Sequence, residues 1–69
     1  MNKGNFQISI FYNEYGQLEE MEVNKTNGIL RIYSWDDYKK VVEALSYLGI
    51  KFDVKMYMYN PTKKYYDEV

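Results

Sequence analysis

A chain of 69 residues with nine basic and ten acidic side chains carries a formal charge of −1. That balance supplies neither the electropositive field of a duplex-DNA binder nor the extreme acidity of a nucleic-acid mimic. One domain of this length buries only about 60% of its unfolded surface, for a stability of roughly 3–10 kcal/mol, and with no cysteine and no histidine it has no disulfide, no thiolate metal site and no imidazole base.

Residues 1–5 are not followed by the apolar core of a signal peptide, and no apolar run approaches the ~20 residues that span a bilayer. The expectation is a cytoplasmic protein, in the host-cell cytoplasm if a phage encodes it. Phe6, Ile8, Ile10 and Tyr12 alternate with Gln7, Ser9, Phe11 and Asn13, so residues 5–13 read as a first strand with two distinct faces. Because Phe11 makes the second face partly apolar as well, this strand suits the middle of a sheet. Gly16, within residues 13–17, provides a hairpin loop, and residues 18–23 run back antiparallel. Met21 and Val23 are expected to point inward with Glu19, leaving Leu18, Glu20 and Glu22 on the other face.

Asn27-Gly28 is a strong turn signal because both residues accept positive φ, which makes residues 29–33 a third strand with Leu30 and Ile32 inward. Ser34 then caps a helix, and Asp36 and Asp37 lie where the helix dipole favours negative charge. Tyr38, Val41, Val42, Leu45 and Leu48 recur at helical spacing and form the buried stripe. Gly49 stops the helix. Phe52, Val54, Met56 and Met58 alternate with Asp53, Lys55, Tyr57 and Tyr59 in a fourth strand, and Pro61 ends it because it brings no N–H to a ladder. Residues 61–69 form a tail that reads as a frayed end, an edge strand or part of a partner contact. Met21, Met56 and Met58 are expected to fill the core, and Trp35 to close one end of it; the alternatives are an adaptable binding groove and an anchor beside Tyr38.

The fold class is therefore α+β, a single four-stranded and mainly antiparallel sheet in β-β-β-α-β order with one helix packed on one face. A helix returning across the sheet makes the fourth strand parallel to the first, and a right-handed crossover lays it beside that strand. The expected sheet order is 3-2-1-4, with 1-2-3-4 as the alternative.

Chemistry is hard to find in this chain. Ser9, Ser34 and Ser46 have no histidine to activate them, and Thr26 and Thr62 have no base either. The carboxylate pairs Glu19-Glu20, Asp36-Asp37 and Asp67-Glu68 are sequence neighbours, which diverge on both strands and helices. No two glycines are close enough to build a phosphate loop. The sequence predicts no enzyme, no catalytic residue, no metal site and no cofactor.

A surface remains. If the helix covers one sheet face, the other displays Phe11, Ile29, Arg31, Tyr33, Lys55, Tyr57 and Tyr59; an edge strand or Tyr65 and Tyr66 of the tail are the other surfaces through which a partner could be bound. Nine tyrosines are partly explained by the strand propensity of tyrosine, but their gathering with Phe11 and Arg31 is the composition of a binding hot spot. The candidate partner-binding residues are Phe11, Arg31, Tyr33, Lys55, Tyr57, Tyr59, Tyr65 and Tyr66. The expected function is a protein-binding domain that occludes a surface of a larger host protein or complex. A phage or mobile-element inhibitor, such as an anti-defence protein, has this form, and the lean towards Lys, Asn, Ile and Tyr fits AT-rich coding DNA. The alternatives are single-stranded nucleic-acid binding, with tyrosines stacking bases, and homodimerisation through the same face; no membrane partner is expected.

Overall fold

Alternating side chains, turn residues and one capped amphipathic segment produce a mixed sheet with a helix on one side. The computed structural model describes residues 6–25 and 28–69. Its elements are β1 (Phe6–Tyr12), β2 (Leu18–Lys25), β3 (Gly28–Ile32), α1 (Trp35–Tyr47), β4 (Phe52–Asn60) and β5 (Tyr65–Glu68). The sheet order is β3-β2-β1-β4-β5. Within it β1 and β4 pair in parallel, and the other three pairings are antiparallel. The expected order of the first four strands is observed. The expected count is corrected from four strands to five, because Tyr65–Glu68 adds an edge strand beside β4.

Local hydrogen bonding explains the connections. Asn13 Oδ1 accepts the N–H groups of Tyr15 and Gln17 at 2.8 and 2.9 Å, and Gly16 takes φ +83°, closing the first hairpin. The β4–β5 turn repeats this device. Asn60 Oδ1 accepts from Thr62 N–H and Lys63 N–H, while Lys64 occupies the left-handed region at φ 62° that glycine fills in the first hairpin. The turn expected around Asn27 includes residues 26 and 27, which lie outside the described residues. At the start of α1, Ser34 Oγ accepts Asp37 N–H at 3.2 Å. At its end, Gly49 N–H reaches Ser46 O and Ile50 N–H reaches Leu45 O, the two bonds of a glycine-terminated helix; Gly49 has φ +73°.

The core is the helix-side face of β1, β2 and β3. Ile8, Ile10, Met21, Val23, Ile32 and Leu45 are buried together, with Tyr38, Val41, Val42, Phe6, Tyr12, Leu18, Ile50 and Phe52 packed around them. Leu45 is the one helix side chain in the buried set. Several expectations fail at the margins of this core. Leu48 is 66% exposed because the helix is already ending there, and Trp35 is half-exposed, set edge-on against Tyr38 at 5.3 Å instead of closing the core. Val54, Met56 and Met58 do lie on the helix side of β4, yet they are 37–44% exposed. Met56 and Met58 are therefore not core filler.

The face assignment of β2 needs one correction. Ile10 pairs with Met21 and Phe11 with Glu20, but Tyr12 pairs with Leu18, leaving Glu19 without a cross-strand partner. This is a β-bulge, and one extra residue reverses the alternation beyond it. Leu18 is thereby turned onto the core face, and Glu19 onto the opposite one.

Candidate functional site

Strand parity decides which side chains share the face that α1 leaves open. On β1 these are Gln7, Ser9 and Phe11. Pairing adds Glu20, Glu22 and Asn24 from β2, Arg31 and Ile29 from β3, Asp53, Lys55, Tyr57 and Tyr59 from β4, and Tyr66 and Glu68 from β5.

Four aromatic rings meet at one end of this face. Phe11 stacks on its parallel-ladder partner Tyr57, with centroids 5.2 Å apart and ring planes 17° from parallel. Tyr66 sets its ring edge-on to Phe11 at 5.1 Å and to its own ladder partner Tyr59 at 5.4 Å. Such pairs each contribute about 0.5–1.5 kcal/mol beyond the area they bury. Tyr66 Oη donates a hydrogen bond to the Glu19 carboxylate, and the bulge brings that carboxylate to this face.

The cations of the face are paired. Arg31 Nε lies 3.9 Å from Glu20 Oε2 and 3.7 Å from Glu22 Oε2, and Lys55 Nζ lies 3.8 Å from Glu68 Oε2. Pairs this exposed contribute little to stability, but they set the charge a partner meets. Burial raises the Glu20 carboxyl above its ordinary value, and the hydrogen bond and charge of Glu22 add to that while Arg31 opposes it.

Phe11, Tyr57, Tyr59 and Tyr66 of the sequence-predicted set are thus brought together, with Lys55 beside them. Arg31 lies across β2 from the rings. Tyr33 follows the last residue of β3 and is 65% exposed; β3 and β4 are three ladder steps apart, or about 14 Å. Tyr65 pairs with Asn60 and faces the helix side, where the Lys63 ammonium stands 5.6 Å from its ring centroid. The residues that sequence reasoning missed are the acidic border, Glu19, Glu20, Glu22 and Glu68. A signal for part of it exists: Leu18 and Met21 are both apolar and three apart, a spacing that strict alternation forbids and a bulge at Glu19 or Glu20 restores.

An open concavity of about 260 Å³ at the β4–β5 end is lined by Met58, Tyr59, Asn60, Pro61, Asp67 and Val69. Asp67 is its one side-chain carboxylate, held below the usual carboxylate range chiefly by the hydrogen bond from Asn60 Nδ2. No general acid–base pair converges there. Among the described residues no group of acidic side chains is placed to hold a metal ion, and no helix is long and apolar enough to cross a membrane. No protein-family profile, curated protein or solved structure matches this chain at a significant level.

The Tyr66–Glu19 bond has a measurable pH signature. That hydrogen bond, then burial, then the negative charge of Glu19 push the Tyr66 phenol up to about 12. The folded pKa exceeds the ordinary value of 10.0, so the neutral phenol is the favoured form. The stability it contributes is complete below about pH 10 and is lost as pH rises from there through about 12. An ultraviolet titration of the tyrosines is expected to show one late-ionising phenol that moves back towards the others in Glu19→Gln. An unchanged titration curve in that variant would rule out the bond.

Proposed function

We propose that this chain is a non-enzymatic protein-binding domain that acts as an inhibitor or modulator, covering a functional surface of a larger protein with the helix-free face of its sheet. The observation that carries this reading is the cluster of Phe11, Tyr57, Tyr59 and Tyr66 on a face with no second layer among the described residues. An open sheet face is ordinarily polar; here Tyr66 is exposed and Phe11, Tyr57 and Tyr59 are half-buried, and a contiguous aromatic patch that solvent reaches marks an interaction site. Tyrosine also brings large contact area at small conformational cost. Nucleic-acid binding is less well supported, because Arg31 and Lys55 are both engaged by carboxylates and phosphates would meet an acidic border.

Light scattering over a range of concentrations is expected to give a monomer, leaving the patch free for an external partner. A dimer dissolved by Tyr57→Lys would instead make the patch a self-association surface and overturn the proposal. For a protein retained by the immobilised chain, Tyr57→Ala with Tyr59→Ala is expected to weaken binding by about tenfold or more, with circular dichroism unchanged. Equal affinity in that folded variant would equally overturn it.

A further inference from the structure

The charge of the helix-free face says what kind of partner it fits. Glu19, Glu20, Glu22, Asp53 and Glu68 stand there against Arg31 and Lys55, so the face carries a formal −3 while the whole chain carries −1. The charge is concentrated beside the rings. Glu20 is the ladder partner of Phe11, Glu68 that of Tyr57, and Glu19 binds Tyr66. Glu20 and Glu22, two apart on one strand and so on the same side of it, share the single Arg31 Nε at 3.9 and 3.7 Å. A second cation arriving between them would therefore relieve a like-charge contact.

We infer that the occupant of this face is a lysine- and arginine-rich segment of another protein, its cations held over the Phe11, Tyr57, Tyr59 and Tyr66 rings and by the carboxylates of Glu20 and Glu22. The inference rests on the reading of this face as the docking surface. Its physical basis is that cations are attracted to aromatic faces and that a carboxylate border steers a basic partner in and repels an acidic one. The same charge disfavours a second copy of the chain packed face to face, because two surfaces of formal −3 repel, and it disfavours a nucleic-acid strand.

The test is a heteronuclear NMR titration of the whole chain with a short Lys-Arg-Gly peptide, the same peptide with its lysines acetylated and its arginines replaced by citrulline, a Glu-Gly peptide and a single-stranded oligothymidine. The basic peptide is expected to shift the amides of Phe11, Glu20, Tyr57, Tyr59 and Tyr66. Binding is expected to weaken about tenfold or more in Glu20→Gln with Glu22→Gln, and to be lost with the neutralised peptide, a control that requires no variant to fold. Binding of the acidic or neutralised peptide at these amides, but not the basic one, would overturn the basic partner while leaving the docking face in place. Shifts elsewhere would overturn both, and none with any probe would overturn the basic partner. Face-amide shifts with oligothymidine, or with protein concentration alone, would replace the inferred partner by nucleic acid or by a second copy. Unchanged affinity in the folded double variant would remove the carboxylates from the site.

Discussion

Ile8→Ala is expected to lower the stability of this chain by about 2–5 kcal/mol, against the roughly 3–10 kcal/mol that a domain of this length has in total. Ile8 is fully buried, on the central strand, between its ladder partners Val23 and Val54. Deleting three of its carbons leaves a cavity floored by two hydrogen-bonded neighbours, which cannot collapse into it without breaking ladders on both sides. Leu48→Ala provides the control: it removes as many carbons from a residue that also fits an apolar stripe, the helical one, but from a site that is 66% exposed, and the expected loss is within about 0.5 kcal/mol. Urea unfolding followed by circular dichroism measures both. Since the urea dependence for a small domain is about 1 kcal/mol per molar, Ile8→Ala should move the midpoint by molar amounts and Leu48→Ala hardly at all. Equal shifts would mean that the helix end, not the central strand, anchors the core.

The contrast between those residues shows how much of the fold was legible. Period-two alternation, the Ser34 cap and Gly49 are local signals with local causes, so strand parity, helix limits and even the order β3-β2-β1-β4 could be read from the sequence. Leu48 fits the helical stripe equally well, but whether a stripe residue is buried depends on how far the helix extends over the sheet, and no periodicity encodes that. The fifth strand was obscured for a related reason. Its turn opens on the Asn60-Pro61 signal but contains no glycine, and Lys64 takes the left-handed conformation instead, so nothing in Thr62-Lys63-Lys64 marks where the chain re-enters the sheet. For the candidate site, Phe11, Tyr57 and Tyr59 follow directly from parity on correctly placed strands. Tyr66 could join them only once β5 was paired in register with β4. Alternation alone puts Glu19 on the core face, and the bulge moves it to the other without changing composition.

Met21→Lys and Met56→Lys are expected to have opposite outcomes. Both methionines occupy inward positions of strands, and in sequence they are interchangeable. Met21 is 0% exposed between Ile10 and Ile32, whereas Met56, paired with Ile10 on its other side, is 44% exposed. An ammonium at position 21 has no carboxylate among its core neighbours Ile8, Ile10, Val23, Ile32 and Leu45. It must be buried unpaired or deprotonated, at an effective penalty of about several kcal/mol, comparable with the entire stability of the domain. Met21→Lys should therefore be unfolded at neutral pH. Since lowering the pH favours the charged lysine, acid should make it worse. At position 56 the flexible lysine stem can lie along the strand with its charge in water, so the folded state should persist with a loss of about 1 kcal/mol or less. One-dimensional NMR of the two variants distinguishes dispersed from collapsed amide spectra directly. A dispersed spectrum for Met21→Lys would mean that α1 can lift off the sheet far enough to admit water. Collapse of Met56→Lys would mean that the helix side of β4 is covered in solution, and the surface available to a partner would then be the aromatic face alone.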